Sequence, residues 1–169
     1  MNESGKRFNG EESFRQPVLH KCYGLPPQEG MNDMARQILM SGALMALLGV
    51  AIGAFGAHGL KSFLSEQMLA AFETGVRYHL IHALGILSAG LSLAYVPIRH
   101  FKWAGWAFSL GIVLFSGSLY VMSISGVRAL GIVTPFGGLC FIVGWGLLAR
   151  GYWTAFPAEN TPFSRSDGK

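Results

Sequence analysis

Residues 38–57 read ILMSGALMALLGVAIGAFGA, a stretch with no charged residue. At about 1.5 Å of rise per residue, a helix of roughly 20 residues crosses the ~30 Å hydrocarbon core of a bilayer. Three further blocks share this character: Tyr78 to Val96, Trp103 to Val127 and Ala129 to Ala149. In lipid the backbone must satisfy its own hydrogen bonds, so each block is expected to be helical. The runs are too long for ordinary strands, and the short alternating segments of a membrane barrel are absent. The expected fold class is therefore all-α: an integral membrane four-helix bundle. Pro97 closes the second block, and Arg99, His100 and Lys102 follow as a polar turn. Arg128 is the only charge between the third and fourth blocks, which predicts a tight hairpin.

Composition agrees. The chain has 169 residues, 51% hydrophobic and only 13% charged, about half the roughly 25% charge of a soluble domain. That excludes a disordered chain and an ordinary soluble enzyme. The net charge of +4 could suit nucleic acid, but the positive residues flank apolar blocks and form no stripe with interleaved aromatics. No nucleic-acid partner is expected; the lipid bilayer is. Cys22 lies in a polar tail and Cys140 within a span, so neither a disulfide nor a zinc framework is expected. Residues 1–33 lack periodicity, and Gly24-Leu25-Pro26-Pro27 blocks a helix there. They read as a disordered tail, or as an extension upstream of a start at Met31 or Met34. Residues 34–153 form the membrane domain and 154–169 a polar C-terminal tail.

Lys and Arg set orientation. Lys6, Arg7, Arg15, Lys21, Arg36, Arg99, Lys102, Arg150, Arg165 and Lys169 fall on one side, and Lys61, Arg77 and Arg128 on the other. This places both termini in the cytoplasm. Tyr78 and Tyr95 bracket the second span, Trp103 and Trp106 open the third, and Tyr152 and Trp153 follow the fourth, as an interfacial aromatic belt requires. Between the first two spans, Leu60, Phe63, Leu64, Met68, Ala71 and Phe72 recur at helical spacing, with Lys61, Ser65 and Glu66 off that face. The stretch from Leu60 to Gly75 reads as a short amphipathic helix lying in the outer interface.

Small residues line the spans. Gly42, Ala46, Gly49, Gly53 and Gly56 alternate in steps of four and three, one seam on a helix. Gly105, Ser109, Ser116, Tyr120 and Ser123 form a second line, and Gly137, Cys140, Gly144 and Gly151 a third. Such seams let backbones approach where lipid supplies little hydrophobic drive between helices. The unusual polar group is His58, Glu73, Arg77, His79 and His82. Glu73 and Arg77 are four apart and can pair on one face, and His79 and His82 are three apart. Ionisable groups in or near a span are costly and find partners. The set reads as a structural staple at the bundle mouth, a proton or ion relay, or a metal site. A metal wants three or four rigid ligands, and only the His79/His82 pair has suggestive spacing, so no metal and no cofactor are expected.

The catalytic and phosphate-binding templates fail: there is no GxSxG, CxxC, HExxH or Walker-type loop. The segment Gly53-Ala54-Phe55-Gly56-Ala57-His58-Gly59-Leu60 resembles the opening signature of the YgdD family of small bacterial inner-membrane proteins. The resemblance continues through Phe72-Glu73-Thr74-Gly75-Val76-Arg77-Tyr78-His79 and His82-Ala83-Leu84. It extends to Leu114-Phe115-Ser116-Gly117-Ser118-Leu119-Tyr120, and to Thr134-Pro135-Phe136-Gly137-Gly138 with Gly144-Trp145. It covers roughly residues 34–150, and the tail at 1–33 departs from it. It implies a four-span protein of the bacterial inner membrane and brings no catalytic residue to carry over. The expected role is a non-enzymatic one, through packing against itself or other membrane proteins. The rival is a small transporter or channel with the His/Glu/Arg group at its mouth. A membrane-embedded enzyme ranks last, because no nucleophile–base pair is evident.

Overall fold

The computed structural model describes residues 33–156. The tails read at 1–33 and 154–169 lie outside the described residues except at their inner ends, where Asp33 already belongs to the first helix and Thr154 and Ala155 still belong to the last. Four helices are long and apolar enough to cross a membrane: α1 (Asp33–Leu60), α2 (Glu66–Tyr95), α3 (Arg99–Ser125) and a fourth span (Arg128–Ala155). The last begins with a 3₁₀ turn (Arg128–Ile132) and continues as α4 (Thr134–Ala155). Among the described residues there is no strand.

Local chemistry explains the boundaries. Ser65 caps α2 by accepting from the Met68 amide at 3.4 Å, and Glu66 complements the positive end of the helix dipole. No breaker follows until Pro97, so the helix runs 30 residues. This corrects one expectation. The amphipathic stretch is not a separate interfacial helix: from Glu66 onward it is the first part of α2, and only 61–65 turn between the spans. Gly75 does not end it, because its missing Cβ makes room for the Tyr120 ring of α3. Phe72 is buried and Phe63 is 83% exposed, so the apolar face divides between core and membrane surface. Gly126 ends α3 with φ of 73°, and its amide donates to the Met122 carbonyl at 2.9 Å. A residue with a Cβ is strained in that left-handed conformation, so glycine suits this cap.

α1 packs chiefly on α2 and α4 chiefly on α3, with α2 against α3 in the middle. The two outer pairs close in different ways. On α1, Gly42, Gly49 and Gly53 receive Leu87, Leu80 and Val76 of α2, and Gly56 receives the Phe72 ring. Gly105 on α3 receives Ile38 of α1. The α3–α4 pair is an aromatic interlock. The rings of Phe101 and Phe108 enter the gaps left by Gly151 and Gly144, and the backbone of Phe115 passes against Gly137; the three positions on each helix are seven apart and run in reverse order. Phe141 returns the contact into Gly111. Seven residues are two helical turns, so one row of phenylalanine positions faces one row of glycines along the antiparallel pair, by ring at two steps and by backbone at the third. Phe101, Phe108 and Phe141 sit in a core with Ile38, Ala83, Ile86, Ala89, Leu93, Ile112 and Leu148. Outward faces carry exposed apolar residues such as Leu47, Val50, Leu84, Val113 and Ile142, which suits lipid as the surrounding solvent.

Candidate functional site: a buried polar seam between the second and third spans

The five ionisable residues singled out by sequence do not form one group. His58 is exposed on the π-helical last turn of α1 (Gly56–Leu60), and its Nδ1 lies 3.1 Å from the Ala54 carbonyl oxygen of its own helix. Glu73 and Arg77 are both exposed, and no ion pair joins them. His79 and His82 are buried, 4% and 5% exposed. A three-residue step turns a helical side chain by about 60°, and here that separates their surroundings. His82 donates from Nδ1 to the Tyr78 carbonyl at 2.7 Å and stacks on Phe141 of α4, ring centroids 3.4 Å apart. Phe108 and Trp145 complete its aromatic enclosure.

His79 faces the other way. It lies against Gly49 of α1, whose missing Cβ leaves the space beside its ring. Its Nδ1 is 3.2 Å from the Tyr120 hydroxyl of α3. The Met45 backbone of α1 also interacts with the ring, although Nε2 makes no hydrogen bond of good geometry; the buried hydroxyls of Ser116 and Ser123 have no partner. Ser116, Tyr120 and Ser123 follow one another at steps of four and three, so they share a face of α3. Ser116 closes a π-helical turn, Ile112–Ser116, in the middle of α3, and such turns inside α-helices are frequent at functional sites. The seam is therefore one buried imidazole, one phenol hydrogen-bonded to it and two hydroxyls left unpaired. It can hold or relay a proton and can solvate a small polar species. Among the described residues, no three or more His, Cys, Asp or Glu side chains gather as a metal site.

The small-residue seam of α1 lies against α2: Gly42, Gly49 and Gly56 are buried, and Ala46 packs on the core. On α3, Gly105 is buried, Ser109 donates to the Gly105 carbonyl at 2.9 Å, and Ser116 and Ser123 carry the unpaired hydroxyls. Sequence reasoning missed three polar links. The Tyr152 hydroxyl of α4 lies 3.0 Å from Ser88 Oγ and 2.9 Å from Ser92 Oγ of α2. Ser118 and Thr134 hydroxyls meet at 2.9 Å across α3 and α4. Arg150 Nε donates to His100 Nε2 at 3.2 Å. It also missed the Phe101/Phe108/Phe115 row, whose seven-residue spacing was visible.

Known proteins place this arrangement. A chain from Staphylococcus haemolyticus, "UPF0382 membrane protein SH2409", is 44% identical over 110 residues, covering 65% of this chain and 89% of its own length. "UPF0382 membrane protein YwdK" of Bacillus subtilis is 46% identical over 108 residues, covering 63% and 88%. "UPF0382 inner membrane protein YgdD" of Escherichia coli K12 is 37% identical over 117 residues, covering 69% and 89%. No solved structure matches. The model of the family described as "Protein of unknown function (DUF423)" matches residues 52–138, from late α1 through the α3–α4 hairpin into α4. With its four spans, its buried seam and these relatives, the chain belongs to that family of membrane proteins.

Proposed function

We propose that the protein is a non-enzymatic component of the bacterial inner membrane that acts through its packing against a second copy or other membrane proteins. The observation that carries this reading is the row of phenylalanines seated in glycine gaps along α3 and α4. It makes a stiff pair, while α1 and α4 leave broad apolar faces toward the bilayer. Rigid helices with accessible outer faces suit lateral association. The inner-membrane setting is supported by the printed name of the Escherichia coli relative. The cytoplasmic position of both termini rests on Arg36, Arg99, Lys102 and Arg150 flanking the spans on one side. Site-specific crosslinking in native membranes, from cysteines placed at Leu47 on α1 and Ile142 on α4, tests the reading. Reproducible adducts from either face support it. Absence of any adduct from both faces removes it.

A second reading is favoured by one observation. Ser116 Oγ and Ser123 Oγ are unpaired in the interior, where unpaired polar atoms are costly and commonly functional. On that reading the protein is a small transporter that moves protons or a small polar solute along the α2–α3 seam. Proton flux into liposomes containing the purified protein, lost on His79→Phe or Tyr120→Phe, would favour it over the first.

A further inference from the structure

The last turns of α2 and α4 and the first turn of α3 enclose a groove of about 240 Å³. Leu91, Ser92, Tyr95 and Val96 form one wall, Tyr152 and Phe156 the other, and Phe101 the floor. It exists because α2 and α4 touch little, and the Tyr152 hydroxyl bridges the gap to Ser88 and Ser92. The volume falls below the roughly 300–1,000 Å³ of small-molecule sites, and the lining is apolar apart from hydroxyls. Leu91 and Tyr95 are more than half exposed, so the groove opens toward the lipid.

Its end of the bundle is basic. The described ionisable side chains there are Arg36, Arg99, Lys102 and Arg150 with His100, against one carboxylate, Asp33. Arg99 and Lys102 flank Phe101, the floor residue. The opposite end has Lys61, Arg77 and Arg128 but also Glu66 and Glu73. A narrow apolar slot at interface depth, beneath an excess of cations, matches a molecule with one flexible hydrocarbon chain and a negative head.

We propose that this groove is a binding site for an anionic phospholipid. One acyl chain lies between α2 and α4 over Phe101, and the phosphate is held at the interface by Arg99 and Lys102. Tyr95 and Tyr152 stand at the depth where aromatic rings sit among headgroups.

The test uses the full chain purified in an uncharged detergent. Phosphatidylglycerol, phosphatidylcholine or inorganic phosphate is titrated in, thermal unfolding is followed, and retained lipid is counted by native mass spectrometry. Phosphatidylglycerol should raise the unfolding midpoint more than phosphatidylcholine does, and inorganic phosphate should leave it unmoved. Replacing Arg99→Gln and Lys102→Gln together should weaken phosphatidylglycerol about 25-fold, roughly five-fold per cation lost. Leu91→Trp, which fills the groove from an exposed position, should weaken both lipids. Lys61→Gln with Arg128→Gln at the opposite end should preserve the preference. Equal effects of the two lipids on the native chain would overturn the proposal. So would a preference that survives Arg99→Gln with Lys102→Gln, or stabilisation reproduced by inorganic phosphate alone. If Leu91→Trp does not fold, the lipid count for the native chain and the double Gln variant still decides the matter.

Discussion

Replacing Gly137 with alanine adds one methyl group, and the structure says what that methyl meets. A Cβ at Gly137 would fall on the Phe115 backbone amide, with the Phe115 Cβ at 2.7 Å and its Cα at 2.8 Å. Backbone cannot rotate aside, so α3 and α4 must separate. Gly146 lies on the same helix, and a Cβ there has nothing within 4 Å. Both substitutions gain the same preference of alanine over glycine in a helix, up to about 1 kcal/mol. Their difference therefore isolates the steric term, and overpacking of a filled interior costs about 1–3 kcal/mol. Gly144 is intermediate: its Cβ would meet the Phe108 ring at 2.6 Å, and a ring can tilt. The expected order of stability is Gly146→Ala above Gly144→Ala above Gly137→Ala, with about 1–3 kcal/mol between the extremes. Denaturant unfolding of the purified protein in mild detergent, followed by tryptophan fluorescence, reads the order. Equal stability of Gly137→Ala and Gly146→Ala would refute the interlock.

Other expectations follow from single contacts. Glu73→Ala and Arg77→Ala should each change stability by no more than about 0.5 kcal/mol, because both side chains are exposed and unpaired; a buried pair would cost about 3–5 kcal/mol on breaking, and unfolding of the two variants separates the cases. Ser118→Ala and Thr134→Val, measured singly and together, should give a coupling of about 0.6 kcal/mol, the usual value for a hydrogen bond between spans. Ser116→Ala and Ser123→Ala should hold or raise the unfolding midpoint, since each deletes a buried unpaired hydroxyl. A reporter active only in the cytoplasm should work when fused after Arg150, and one that needs export only near Glu66 or Arg128.

The spans were legible because lipid imposes a crude requirement: an uncharged run of sufficient length. The first and fourth blocks lie within their helices, while the second and third overrun theirs at the C-terminal end, by Val96 and by Gly126 and Val127; every helix begins before its block. The extensions were harder to read, because hydropathy ends where charge begins and a helix does not. The first turns of α2 carry Glu66, Glu73 and Arg77 on the same helix as the apolar span. Small-residue seams were visible as spacing, but spacing does not name the partner. Nothing in Gly137 or Gly144 points to Phe115 or Phe108 until the antiparallel register is known, although the matching steps of seven were there to be compared. The polar set failed as a group for a geometric reason. Proximity in sequence placed His79 beside His82, yet the helix turns one toward Tyr120 and the other toward Phe141. Tyr120 itself was legible only as one position in a line of serines.

The two halves of the interior differ in how they use polar side chains. Between α3 and α4 rings pack on Gly151, Gly144 and Gly111, and two polar pairs cross, Ser118 with Thr134 and Arg150 with His100, whose Nδ1 is left without a partner. On the face of α3 that carries the histidine–tyrosine contact, the interior keeps two serine hydroxyls with no partner. Packing alone does not require this, because alanine at 116 and 123 would fill a helix face at least as well. Unpaired hydroxyls in such a setting cost about 1–3 kcal/mol each. Local consistency is the rule for a sequence that only has to fold, and departures from it concentrate where a protein works. If Ser116→Ala and Ser123→Ala gain stability while lateral association is unchanged, the seam is doing something other than holding the bundle. The transport reading then has its two most informative residues on the helix face that carries Tyr120. If association falls instead, the seam shapes the surface that partners recognise, and the packing reading gains the residues it lacks.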